Sequence, residues 1–113
     1  MDKSFIGFTS EEEECGMNPI IEVLYRNLDS LRYYNIQKLA IFGSYARNEE
    51  SEDSDIDVLV AFKEGYATFR NFMGLKQYLE SLLQKEVDLV SEKAVKSELL
   101  PHILRDAIYL EGL

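Results

Sequence analysis

"IFGSYARNEESEDSDIDVLV" occupies residues 41–60. An apolar run ends in Gly43-Ser44, a loop crowded with acids follows, and Asp55 and Asp57 stand at the head of a second apolar run. Acids within an otherwise buried strand are costly unless something cationic holds them. Side chains two apart on a strand share a face, so Asp55 and Asp57 point one way while Ile56 and Val58 point into the other layer. The nearly continuous apolar run after Asp57 reads as a central strand covered on both faces.

Upstream, residues 36–43 read as a short strand ended by Gly43, and "SYARN" as a single helical turn. Asn18-Pro19 reads as an N-cap with proline at the first helical position. Ile20, Ile21, Leu24, Leu28 and Leu31 then recur at helical spacing up to about Tyr34. Downstream, Lys63-Glu64-Gly65 ends the second strand. From 66 to 84, Phe69, Phe72, Leu75, Leu79 and Leu82 or Leu83 fit a helix despite Gly74. Residues 85–91 read as a third strand, again with an acid, Asp88, in an apolar setting. Residues 98–110 read as a closing helix striped by Leu100, Ile103, Leu104, Ala107 and Ile108, with Pro101 in its first turn. The order helix, strand, strand, helix, strand, helix implies a mixed α/β (α+β) domain, a small sheet packed with helices. The pattern leaves the pairing order of the strands open.

A chain of 113 residues with 46% hydrophobic content suits one globular domain with a modest core. Its net charge is −9, from 21 acids and 12 bases. The Lys and Arg clusters that bind a phosphate backbone are missing, so direct nucleic-acid binding is not expected. The acidity fits a basic protein partner or divalent cations, and solubility alone would also account for it. Residues 1–17, with the acidic run at 11–14, read as a solvated arm before a domain at 18–113. The single cysteine, Cys15, allows no internal disulfide and reads as a free thiol in a reducing compartment. No stretch is long and apolar enough for a bilayer, and the first ten residues lack a signal-peptide core. A cytoplasmic location without membrane attachment is therefore expected.

In the third strand Asp88 alternates with Val87 and Leu89, so it opposes the apolar face as Asp57 does. If the second and third strands are close, Asp55, Asp57 and Asp88 converge on one patch. Like charges so placed repel unless a counterion joins them. A hard divalent cation with oxygen ligands is the natural occupant, and Mg²⁺ typically combines a few carboxylates with substrate phosphates. Gly43 lets the backbone approach a ligand closely, and the turn with Ser44 offers amides and a hydroxyl to an anion. Phosphates there, opposite metal-binding aspartates, suit phosphoryl or nucleotidyl transfer by two-metal catalysis. Each part alone is ordinary: Gly-Ser marks a turn, and Asp-x-Asp at a strand mouth caps a loop. Asp53, Asp55, Asp57 and Glu64 also match positions of a calcium loop, but Val58 stands where that loop needs glycine. His102, the only histidine, has no Ser or Cys partner nearby in sequence and reads as a surface or helix-end residue. The seven tyrosines read mostly as packing residues.

Taken together, "GSYARNEESEDSDIDVLV" at 43–60 and "VDLV" at 87–90 resemble the signature of the polymerase-β-type nucleotidyltransferase superfamily, in its minimal single-domain (MNT) branch. The resemblance implies that Gly43 and Ser44 hold a nucleoside triphosphate and that Asp55 and Asp57 ligate two Mg²⁺ ions. It implies that Asp88 ligates the metal on the nucleophile side and helps deprotonate the attacking hydroxyl. Arg47 could reach a phosphate or pair with the local acids. Members of this branch are commonly antitoxins that adenylylate a tyrosine of a HEPN ribonuclease toxin from ATP, and an acidic chain suits docking on such a partner. Asn48 stands where related sequences often have glycine, and Asn tolerates the same left-handed backbone. Two other functions fit the motif: a binding-only antitoxin or structural subunit without turnover, and a nucleotidyltransferase acting on a small hydroxyl compound. Homo- or hetero-oligomers are compatible with all three.

Overall fold

The computed structural model describes residues 18–51 and 54–113. The arm at 1–17, with its acidic run and Cys15, and the loop residues Glu52 and Asp53 lie outside the described residues.

Asn18 caps helix α1 (Pro19–Arg26), its side-chain oxygen accepting from the Ile20 amide at 2.8 Å. The helical spacing predicts one helix to about Tyr34, but the helix breaks at Asn27 and resumes as α2 (Leu28–Arg32). The Asn27 amide group donates to the Val23 carbonyl at 2.8 Å, a local bond that competes with the helical ladder. The apolar stripe survives the break: Ile21, Leu24 and Leu31 are buried.

Strand β1 (Ile36–Phe42) leads through Gly43 into the single turn α3 (Ser44–Arg47), and the acidic loop delivers the chain to β2 (Ile56–Phe62). Helix α4 (Phe69–Leu83) starts at Thr68, whose hydroxyl accepts from the Asn71 amide at 3.1 Å. It buries Leu75 and Leu79, whereas Phe69, placed on the same stripe by spacing, is 79% exposed at the helix start. Strand β3 (Val87–Ser91), a 3₁₀ turn (Glu92–Ala94) and α5 (Leu100–Asp106) follow.

The closing helix ends earlier than the stripe predicts. Ala107 is extended, and Ile108–Tyr109 form a short strand, β4, paired antiparallel with Ala40 and Ile41 of β1. Leu110 continues this pairing, its amide donating to the Leu39 carbonyl at 2.8 Å. No residue of α5 is fully buried, so the stripe of Leu100, Ile103 and Leu104 is not a core face. The sheet order is β3-β2-β1-β4, with β2 antiparallel to β1 and parallel to β3. Strand β2 is therefore central, as its continuous apolar run predicts.

One face of the sheet carries the core. Ile56, Val58 and Val60 of β2, Leu39 and Ile41 of β1, and Val87 and Leu89 of β3 pack against α1, α2 and α4. The alternate residues of β2, Asp57, Leu59 and Ala61, face the other way. There the 3₁₀ turn lies against β2 and α5 against β1, so Leu59 and Ala61 are buried. Asp57 is at the end of this second face where Asp88 is exposed. Among the described residues no helix is long and apolar enough to cross a membrane.

Candidate active site

Asp57 and Asp88 are register partners in the parallel β2–β3 ladder. Adjacent strands are about 4.8 Å apart, so the two carboxylates rise side by side from one face. Asp55 lies just before β2, which begins at Ile56, and is exposed. Its charge still reaches Asp57. Burial, then Asp88, then Asp55 push the Asp57 carboxyl above its ordinary range, while Arg47 pulls it down. Asp57 and Asp88 are thus neighbours, and Asp55, just outside the strand, is near enough for its charge to act on Asp57.

The β2–β3 alignment is held near the acids. The Ile56 amide donates to the Glu86 carbonyl at 3.0 Å, and the Val87 amide donates to Glu80 Oε2 at 3.1 Å. The Lys76 ammonium donates to the same Glu80 oxygen at 2.8 Å, fixing it between α4 and β3.

Gly43 closes the site from β1. Its φ of 74° and ψ of −151° belong to a region open essentially to glycine. A Cβ there would collide with Oδ2 of Asp57 and lie 3.2 Å from its Cγ. The Gly43–Ser44 turn and the Asp57 carboxylate are therefore in direct contact. Within α3 the Ala46 and Arg47 amides both bond to the Gly43 carbonyl, at 3.1 Å each. The Ser44 and Tyr45 amides open the turn and have no partner within it. The turn ends on Asn48 at φ 59° and ψ 39°, the left-handed backbone expected for that position.

Arg47 does not stand free. Its Nε donates to Glu49 at 2.9 Å and its Nη1 to Asp106 at 3.2 Å. The pairing with Glu49, then with Asp106, holds the guanidinium more firmly protonated than usual. Asp106 has no signal in the sequence, because it comes from the far end of the chain.

Asn18 was legible as a helix cap but not as a part of this site. Its side-chain amide donates to the Tyr45 carbonyl at 2.6 Å and to Asn48 Oδ1 at 3.3 Å, tying α1 to the end of α3. Asn18→Ala removes the cap and both ties, and is expected to lower stability by about 1–2 kcal/mol. A urea melt checks this: an unchanged midpoint would show that the three bonds contribute nothing net.

A model of the nucleotidyltransferase domain matches residues 22–110. The chain belongs to the nucleotidyltransferase domain family. This nucleotidyltransferase is 40% identical over 77 residues to the protein adenylyltransferase MntA of Thermococcus cleftensis, covering 68% of this chain and 77% of the relative. A solved chain assigned as a minimal nucleotidyltransferase superposes with a TM-score of 0.68 at 40% identity, covering 78% of this chain and 93% of the other. A solved toxin–antitoxin with AMP-PNP superposes with a TM-score of 0.60 at 28% identity, covering 83% of this chain and 71% of the other. The fold of the nucleotidyltransferase is thus the polymerase-β-like one that the Gly-Ser and Asp-x-Asp signature implied.

Proposed function

We propose that this nucleotidyltransferase is a Mg²⁺-dependent protein adenylyltransferase. It moves AMP from ATP onto a tyrosine of a HEPN ribonuclease toxin and thereby acts as the toxin's antitoxin. The observation that carries the reading is the contact of the Gly43 turn with Asp57, itself paired with Asp88. It brings the Gly43–Ser44 turn and two adjoining carboxylates to one point, which supports the turn as the phosphate-binding element. The Thermococcus relative is a protein adenylyltransferase and the 28%-identical solved relative is a toxin–antitoxin with AMP-PNP; both support the same reading.

The residues fit divalent cations. Burial first, and then the charges of Asp88 and Asp55, raise the Asp57 carboxyl, and a cation beside it would offset these costs. Among the described residues no group of three or more His, Cys, Asp and Glu side chains is arranged to hold a metal ion by itself. Mg²⁺ is commonly held by one or two carboxylates together with substrate phosphates, and Asp57 with its neighbour Asp88 offers such a pair. Asp55 and Asp57 would hold two ions, with Asp88 completing the one on the acceptor side. Bound there, the ions would neutralise the phosphates and the leaving pyrophosphate. Gly43 and Ser44 hold the triphosphate through the turn, and Arg47 adds a guanidinium at its edge. Asp88 takes the proton of the tyrosine hydroxyl as its oxygen attacks the α-phosphorus and the bond to pyrophosphate breaks. The net charge of −9 favours approach of a basic protein acceptor.

The test is to incubate the protein with ATP, Mg²⁺ and the product of its neighbouring gene, then weigh that partner intact. AMP-sized additions on tyrosine, absent with Asp57→Ala, are expected. A partner left unmodified yet inhibited equally by wild type and Asp57→Ala would establish binding-only neutralisation instead.

A further inference from the structure

The C-terminal strand carries to the site a residue that the reaction above does not use. Ile108 of β4 pairs with Ile41 of β1, so the chain just before β4 runs beside the end of β1, where the Gly43 turn begins. Asp106, the last residue of α5, lies there and accepts from Arg47 Nη1 at 3.2 Å across 59 positions of sequence. Glu49 accepts from Nε of the same guanidinium at 2.9 Å. Nη2 makes no hydrogen bond to any described residue. A guanidinium is a planar, rigid fork, so fixing two of its nitrogens fixes the direction of the third. The charge so held is close enough to act on Asp57.

We propose that Asp106 is a positioning residue for nucleotide binding. Acting through Arg47, it orients the remaining face of the guanidinium toward the phosphates of a nucleotide seated on the Gly43–Ser44 turn. The proposal rests on the nucleotidyltransferase site described above and adds the C-terminal segment to it. The opposite arrangement would be a latch, with Asp106 and the phosphates competing for Arg47. Position and competition predict opposite changes in affinity. The side chains of Arg47 and Asp106 are 43% and 31% exposed, and pairs of this kind add little to stability. Substituting Asp106 therefore leaves the fold intact while it alters the guanidinium.

The experiment titrates Mg²⁺–ATP into wild type, Asp106→Asn, Arg47→Ala and the double variant, and measures KM and kcat for the partner-directed reaction. Asp106→Asn is expected to weaken nucleotide binding about three- to tenfold, with KM moving more than kcat. Asp106→Glu should restore most of the loss. In the Arg47→Ala background Asp106→Asn should add nothing, because its effect passes through Arg47. Unchanged or tighter binding by Asp106→Asn overturns the proposal, and so does an equal loss with and without Arg47. Wild type that fails to bind Mg²⁺–ATP overturns the nucleotide site along with it. Wild type that binds, with Asp106→Asn binding equally well, overturns the role of Asp106 alone.

Discussion

Gly43→Ala is expected to abolish AMP transfer, by about a hundredfold or more, while Gly65→Ala leaves it near the wild-type rate. Both glycines have positive φ, 74° and 89°, so alanine strains the backbone at each, by about 1–3 kcal/mol. Their surroundings differ. A Cβ at Gly65 meets nothing within 4 Å, whereas one at Gly43 drives into the Asp57 carboxylate. Either the turn or Asp57 must then move, and an ångström of displacement at a reacting centre is enough to stop the chemistry. Urea melts should show both variants weakened, and an intact-mass time course of the partner should separate them. If Gly43→Ala kept more than a tenth of the wild-type rate, the turn would not be pressed against a catalytic carboxylate.

The second large effect is a divergence between stability and activity at Asp57. In metal-free buffer, Asp57→Asn is expected to melt about 2–5 °C higher than wild type, yet to transfer no AMP. Burial and the neighbouring Asp88 and Asp55 push the Asp57 carboxyl up, so the folded state holds its proton more tightly than the unfolded chain does. Above the folded-state pKa the ionised carboxylate therefore costs stability. That cost fades as the pH falls through the folded-state pKa and is gone below the ordinary carboxylate value. The advantage of Asn should accordingly be greatest near neutrality and shrink on acidification. Mg²⁺–ATP at a hundredfold excess over Kd should reverse the ranking, because it adds about 2.7 kcal/mol to a protein that binds it and nothing to one that does not. Melts with and without ligand, at neutral and acid pH, test each step. An Asn variant that gained the same stabilisation from Mg²⁺–ATP would remove Asp57 from the site.

How much of this was legible in the chain depends on the range of the interaction that decides each feature. Local features can be read directly. Asn18-Pro19 starts a helix because cap and proline act on the next few amides. Gly43 and Asn48 bracket the α3 turn because each supplies a backbone conformation at its own position. The alternation around Asp57 and Asp88 assigned both to the face opposite the core, and period two leaves no other choice once the strands exist. The sequence by itself thus determined where the helical segments and three main strands lie, the glycine turn and the outward face of Asp57 and Asp88, but not the break at Asn27 or the early end of the last helix. Tertiary structure decided what depends on partners far along the chain. The apolar spacing of Leu100 to Ile108 serves a helix or a helix ending in a strand, and the free edge of β1 turned Ile108 and Tyr109 into β4. The same edge pairing carries Asp106 to Arg47. Only the parallel pairing of β2 with β3 made Asp57 and Asp88 neighbours, because 30 intervening residues leave their register to packing and not to local propensity.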